Sequence, residues 1–184
     1  MPRSKGPATA ARRVGVISDT HGLLRPSALA ALWGCAPIIH AGDVGDPSII
    51  AALEEIAPLV IVRGNVDRAD WAHRLPPNAC VEIDGRMIDV LHDIAELDVD
   101  PAAAGFHAVV YGHSHRPSAE HKSGVLYLNP GSAGPRRFDL PVTLARLTLA
   151  QGVLTPEIID IGAGQRLSSL AGRGGPRREA PEGR

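Results

Sequence analysis

The stretch RVGVISDTHG, residues 13–22, decides the architecture. RVGVIS is an apolar, β-branched run of strand length without polar alternation, the pattern of a strand buried on both faces. It stops at Asp19-Thr20-His21-Gly22, a polar loop that leaves a carboxylate and an imidazole at the strand's end. The unit then recurs. RPSALAALWG places Pro26 at a helix start and Gly34 at its end. APIIHAGD (36–43) reads as a short strand closing on Gly42-Asp43. DPSIIAALEEIA (46–57) opens with Asp46 as an N-cap and Pro47 at the first helical position. PLVIVRGN (58–65) is a third strand, ending on Gly64-Asn65. Strand, helix, strand, helix, strand predicts parallel pairing with helical crossovers, an α/β class.

Downstream the pattern changes. ACVEIDGRMIDVLHD reads as two strands around Asp84-Gly85, a two-residue hairpin signal. HAVVYGHSH, GVLYLNPGS, PVTLARLTL and GVLTPEIIDI are further strands at short spacing. The chain begins as α/β and ends β-rich, with no internal repeat. One domain is expected over residues 13–162. Residues 1–12 read as a disordered lead-in. Residues 163–184, ending in AGRGGPRREAPEGR, read as a disordered tail too rich in Gly, Pro and charge to bury a core.

Composition narrows the function classes. Aromatics are 3% against 44% hydrophobic residues, so the core must be Ala, Val, Ile and Leu. A formal net charge of -1 gives no drive toward nucleic acid or anionic membranes, and few aromatics leave no stacking track for single strands. Cys35 and Cys80 form no CxxC pair, which argues against a disulfide scaffold or a thiolate zinc site; both read as small buried residues in a reducing compartment. The N-terminal MPRSKGPATAARR lacks an apolar h-region, and no apolar run is long enough to span a bilayer. A cytoplasmic location is expected, with exposed strands available for a homodimer or higher homo-oligomer.

The chemistry sits at the strand ends. The first strand gives Asp19 and His21, the second Asp43, the third Asn65, the hairpin strand His92, and the next His113 and His115. In open α/β sheets that edge binds ligands. Carboxylates with imidazoles suit Mn, Fe, Ni or Zn better than Ca or Mg. Seven ligands exceed the needs of one such ion. With one carboxylate shared, they supply four contacts to each of two ions, and two ions about 3.5–4 Å apart clamp an in-line displacement at phosphorus. Taken singly, Asp-x-His, Gly-Asp and Gly-Asn are ordinary turn chemistry, and His92 alone would read as a partly buried histidine. Gly-His-x-His is more specific, and the ordered set carries the reading.

That order, D-x-H, G-D, G-N, H, G-H-x-H, resembles the calcineurin-like metallophosphoesterase superfamily. VISDTHG and the NPGS at 129–132 look like its small bacterial and archaeal YfcE-type phosphodiesterase branch. The resemblance spans roughly residues 13–160 and implies a four-layer α/β/β/α sandwich of two mixed sheets flanked by helices. It implies a dinuclear phosphoesterase, acting on phosphodiesters, with Asp19, His21 and His115 on one ion, Asn65, His92 and His113 on the other, and Asp43 bridging. Asp43, Asn65, His92 and His113 would act in catalysis through the ions and a bridging hydroxide. Two departures stand out. Many members carry a histidine after Gly-Asn as proton donor to the leaving group; here it is Val66, followed by Asp67. Many read His-Gly where this chain has His92-Asp93, and Asp93 either orients a ligand imidazole or faces solvent.

Other residues keep two readings. His40 is a hydrogen-bond partner around the site or a structural histidine. Gly42, Gly64 and Gly112 are expected to let the backbone turn tightly before each ligand. NPGS is a contact to the site, through Ser132, or a plain turn. Arg116, Arg136 and Arg137 meet a substrate phosphate or stay solvated. Two other functions compete: a metal-binding protein-interaction scaffold of the same fold, as in a eukaryotic retromer subunit, and a nuclease, which the charge balance disfavours.

Overall fold

The computed structural model describes residues 10–137 and 139–162, and the backbone of 165–167. Its elements are β1 (Arg12–Ile17), α1 (Pro26–Leu32), β2 (Ile38–His40), α2 (Pro47–Glu54), β3 (Leu59–Ile61), β4 (Asn78–Ile83), β5 (Arg86–Leu91), β6 (Ala108–Val110), β7 (Ser118–Lys122), β8 (Val125–Asn129), β9 (Thr143–Ala150), β10 (Val153–Asp160) and β11 (Gln165–Leu167). Two sheets result, with orders β11-β10-β9-β1-β2-β3 and β4-β5-β6-β8-β7.

Each sheet contains three parallel strands that finish level. In the first, Ile17 pairs with His40 and His40 with Ile61; in the second, Val90 pairs with Val110 and Val110 with Leu128. This register gathers the loops after β1, β2, β3, β5, β6 and β8 at one end of the sandwich. Antiparallel β9 and β10 extend the first sheet, and the β4–β5 hairpin extends the second. Asp84 and Gly85 at its tip have φ of 48° and 77°, the left-handed pair that a type I′ turn requires.

Burial explains the layers. Val14, Val16, Ile39, Val62, Ile88, Val90, Val110, Leu126, Leu128 and Leu147 fill the space between the sheets. The outer face of the first sheet presents Ile17, Ile38 and Leu144 to Ala28 and Leu32 of α1 and to Ile49 and Leu53 of α2. Each fully buried Val, Ile or Leu side chain among them contributes roughly 1.5–3 kcal/mol. Pro26 and Pro47 start both helices, and the Asp46 carboxylate accepts the Ser48 N–H at 2.8 Å, so the expected starts hold. The fourth layer is thin. Leu91, Val109 and Val125 on the outer face of the second sheet are covered by Ile94 and Leu97, carried on and just after a single 3-10 turn, Ile94–Glu96.

Four details differ from the sequence reading. The strand β7, SAEHK, has no apolar run to signal it; it is an edge strand, where polar side chains blunt the exposed edge. Cys35 is buried as expected, but Cys80 is exposed. On β4 the half-buried Ala79 and Val81 pack against the core, so the alternation sends Cys80 outward. The strand β11 pairs with β10 inside the stretch read as tail, so the sheet runs past residue 162. At the other boundary Arg12, read as the end of the lead-in, lies in β1 and already pairs with Leu149; residues 1–9, 163–164 and 168–184, read as disordered from sequence, lie outside the described residues. Among the described residues no helix is long and apolar enough to cross a membrane.

Candidate metal centre

The loops at the parallel-strand ends carry all seven candidate ligands. Asp19, Asp43, His92 and His115 are buried and His21 is nearly so, while Asn65 and His113 sit on the exposed rim. Five of the seven hold left-handed backbone: Asp19 (φ 55°), His21 (46°), Asp43 (56°), His113 (66°) and His115 (58°). For non-glycine residues this conformation costs roughly 1–3 kcal/mol each and persists where surrounding structure enforces it. The enforcement is visible. Asp19 N donates to Gly42 O (3.0 Å), His21 N to Asp43 O (2.9 Å) and Gly22 N to Val44 O (2.8 Å), which locks the first two loops together.

The side chains form two neighbouring groups, and Asp19 also converges with Asp43 and His92 between them. Asp19, His21 and His115 converge in one, with His115 Nε2 at 3.1 Å from Asp19 Oδ1 and 3.1 Å from His21 Nε2. Asn65 anchors the other: its Oδ1 lies 3.1 Å from His92 Nε2 and 3.1 Å from His113 Nδ1. Asp43 stands between them, Oδ2 at 3.8 Å from His21 Nε2 and 3.3 Å from His92 Nε2. The His92 ring is oriented from behind. His92 Nδ1 donates to Ala41 O at 2.8 Å, which turns Nε2 toward Asp43 and Asn65.

Electrostatics follow from this crowding. Burial works against a charged His92, yet the hydrogen bonds with Asp43 and Ala41 and the nearby carboxylates push its pKa up to about 9. Burial likewise opposes the Asp43 carboxylate, but His92 and the Val66 N–H hold its pKa below the usual range. Burial lowers the His21 pKa, helped by Arg137 and His115 against Asp43 and Asp19.

These residues fit divalent cations. Asp19 Oδ2 is occupied by the Ser18 hydroxyl at 2.7 Å, but Asp19 Oδ1 is buried without a hydrogen-bond partner and faces the imidazole nitrogens. Two facing ring nitrogens and an orphaned carboxylate oxygen lack a common partner that a cation supplies.

The flanking residues resolve as follows. His40 is fully buried and its Nε2 meets Thr20 Oγ1 at 2.9 Å, so it braces the loop between Asp19 and His21. NPGS is more than a turn. Ser132 Oγ donates to Asp19 O (2.9 Å), and Asn129 Nδ2 donates to Gly112 O (2.7 Å) beneath His113. Of the three glycines expected to turn the chain, Gly42 has the positive φ, 88°. Gly64 and Gly112 serve space instead: a Cβ would strike Asp43 in the first case and Ser18 and Asp19 in the second. Asp93 both caps Ala95 N (3.0 Å) and lies 3.6 Å from His113 Nε2. Val66 is exposed at the rim with no polar side-chain atom to offer. Arg116, Arg136 and Arg137 are exposed; Arg136 lines a cavity of about 310 Å³ with Arg25. Asp67 drew no reading from sequence, since an acid in a turn carries no distinctive signal. It is buried, and its carboxylate accepts three backbone N–H groups.

The family model of the calcineurin-like phosphoesterase superfamily domain matches residues 13–152. A probable metallophosphoesterase of Methanothermobacter thermautotrophicus is 32% identical over 163 residues, covering 82% of this chain and 93% of the relative. A predicted phosphoesterase of Streptococcus pneumoniae has a similar structure, with TM-score 0.66 and 26% identity over 84% of this chain and 92% of that one. Vps29 of Cryptosporidium parvum shares the fold, with TM-score 0.73 and 21% identity over 85% of this chain and 94% of that one.

Proposed function

The chain belongs to the calcineurin-like phosphoesterase superfamily, and from that premise we propose that it is a dinuclear metal-dependent hydrolase of phosphate esters, acting on phosphodiesters. The observation that carries the reading is the position of Asp43 Oδ2 between two imidazole groups, 3.8 Å from His21 and 3.3 Å from His92. In this reading Asp19, His21 and His115 hold one divalent ion, Asn65, His92 and His113 the other, and Asp43 is shared. The ions are Mn, Ni, Fe or Zn, the class that suits mixed nitrogen and oxygen ligands. Such ions supply a nucleophile at neutral pH and Lewis-acid stabilisation of phosphate oxygens. The protein's part is to present three carboxylate or amide oxygens and four ring nitrogens in fixed orientation, which would hold the ions.

A cavity of about 180 Å³ beside Asn65, His92 and His113, lined also by Arg63, Asp93 and Glu96, gives the ester group a place to sit. Val66 leaves the alcohol departing without a proton donor at that position, so aryl esters are turned over faster than alkyl ones. Two unpaired cysteines support a cytoplasmic setting.

The test is a panel of mono-, di- and cyclic phosphates, with Mn²⁺, Ni²⁺ or Zn²⁺ added back to metal-free protein. Metal-dependent hydrolysis of bis-p-nitrophenyl phosphate is the expected result. Tight metal binding without turnover across the panel would instead favour a protein-interaction scaffold. Absence of metal binding would sink both.

A further inference from the structure

The loop after β1 and the loop after β2 are tied by backbone hydrogen bonds. Among the described residues no backbone–backbone hydrogen bond joins the loop after β2 (42–45) to the loop after β3 (64–67). Yet these two loops carry Asp43 and Asn65, which must keep a fixed separation if both serve one ion. What joins them is a pair of carboxylates, each reaching into the other's loop. Asp67 Oδ2 accepts from Val44 N (3.1 Å) and Gly64 N (2.9 Å), and Asp67 Oδ1 accepts from Gly45 N (2.9 Å). In return Asp43 Oδ1 accepts from Val66 N (3.0 Å). Val44 and Gly45 directly follow Asp43; Gly64 directly precedes Asn65. Asp67 is 3% exposed, so these bonds are made away from water, where losing one leaves an N–H without a partner.

We propose that Asp67 is a positioning residue that sets the spacing of Asp43 and Asn65 by clasping the backbone of both loops, and thereby determines the affinity of the ion shared by Asp43, Asn65, His92 and His113. The inference rests on the reading of those residues as ligands. Asp67 touches neither ion nor substrate; it acts through the peptides on either side of two ligands. The clasp also frees Asp43 Oδ2: with Oδ1 held by Val66 N, Oδ2 is the oxygen that faces His21 and His92. The ion held by Asp19, His21 and His115 depends less on Asp67, because its loops are joined by the backbone ladder and by Ser132.

The carboxylate makes the prediction graded. In Asp67→Asn the amide oxygen can take the place of Oδ2 and keep Val44 N and Gly64 N, but the NH₂ then opposes Gly45 N–H, donor against donor. In Asp67→Ala all three acceptor contacts vanish. The experiment uses the full chain, stripped with chelator and titrated with Mn²⁺ by calorimetry at 10 °C, with folding checked by circular dichroism. Leu53→Ala, in α2 on the outer face, controls for loss of stability alone, and Asp43→Ala controls for loss of the shared ligand. Wild type is expected to show two classes of site. Asp67→Asn should weaken one class about 10–100-fold, the usual effect of removing a group that supports a ligand, while the other changes little. Asp67→Ala should weaken it further, and Leu53→Ala should titrate like wild type. Wild-type titration of both Asp67 variants, with Asp43→Ala strongly impaired, would overturn the role of Asp67 alone. So would equal weakening of both classes matched by Leu53→Ala. If Asp43→Ala binds two ions as wild type does, the shared-ligand reading fails and takes the role of Asp67 with it.

Discussion

His40 makes the stability of this protein depend on pH in a calculable way. Its ring is fully buried, with Nε2 at 2.9 Å from Thr20 Oγ1. The Thr20 hydroxyl proton is committed to Val44 O at 3.0 Å, so Nε2 carries the proton of that contact and Nδ1 is the bare nitrogen. Nδ1 is buried without a partner, so a second proton there would have no acceptor. Burial therefore lowers the pKa from 6.5 to about 4, against the opposing pull of Asp19, Asp67 and Asp43. In the unfolded chain the ring takes a proton near pH 6.5. As pH falls below 6.5 the unfolded state gains that proton first, and folding stability drops until about pH 4, where the folded state takes it too. The loss, from a shift of 6.5 to about 4, is about 3 kcal/mol in full and about 2.5 kcal/mol by pH 4.5. That is a large share of a typical domain stability of roughly 5–15 kcal/mol.

Acidification tests this with His40→Gln as reference, because a glutamine amide can still donate to Thr20 and does not titrate. The assay is urea unfolding followed by circular dichroism, with chelator present, at pH 7.5, 6.5, 5.5 and 4.5. Other groups titrate in both proteins. His92 has the opposite sign, its stabilisation present below pH 6.5 and lost as pH rises through about 9, and it cancels in the difference. The stability of wild type relative to His40→Gln should fall by about 2.5 kcal/mol from pH 7.5 to 4.5. A difference flat to within about 0.5 kcal/mol, the scale of an ordinary surface substitution, would refute the reasoning.

Three other outcomes are expected. Asp43→Ala should lose both ions and nearly all hydrolysis, read by metal analysis of the dialysed protein and by release of p-nitrophenol; full activity would end the bridging assignment. In wild type, aryl phosphodiesters should react faster than alkyl ones, and Val66→His should narrow the gap by raising the alkyl rate up to about 10²–10⁴-fold, the range of general acid catalysis. Equal aryl and alkyl rates in wild type would remove that argument. Asp46→Ala removes the carboxylate that caps α2 and should lower the urea midpoint of unfolding without changing metal affinity; an unchanged midpoint would mean that the cap contributes nothing.

Much of this protein is legible in its sequence because the signals are local. The run Val14–Ile17 reads as a doubly covered strand because its neighbours in the chain supply helices for one face. Pro26, Pro47, Asp46 and the Asp84-Gly85 tip announce their elements through backbone preferences that need no tertiary contact. Asp19, His21, Asp43, Asn65, His92, His113 and His115 are readable as a set because each ends a strand, and parallel strands in register must bring their ends together. β7 and the outward turn of Cys80 are not legible, because edge position and the facing of a strand are set by partners distant in sequence.

What tertiary structure alone decided is how the loops are held. Asp67 in a turn and Ser132 after NPG look like ordinary polar residues in a chain of letters. Folding buries both and gives each a backbone partner in another loop: Val44, Gly45 and Gly64 for Asp67, and Asp19 for Ser132. Which groups meet at the strand ends follows from strand order and side-chain chemistry, both written locally in the chain. Their spacing and their pKa values follow from the packed loops. Those values depend on what each buried ring meets: hydrogen bonds with Asp43 and Ala41 raise His92 against the pull of burial, burial lowers His40, and out of water each hydrogen bond to a loop of the candidate site is too costly to lose.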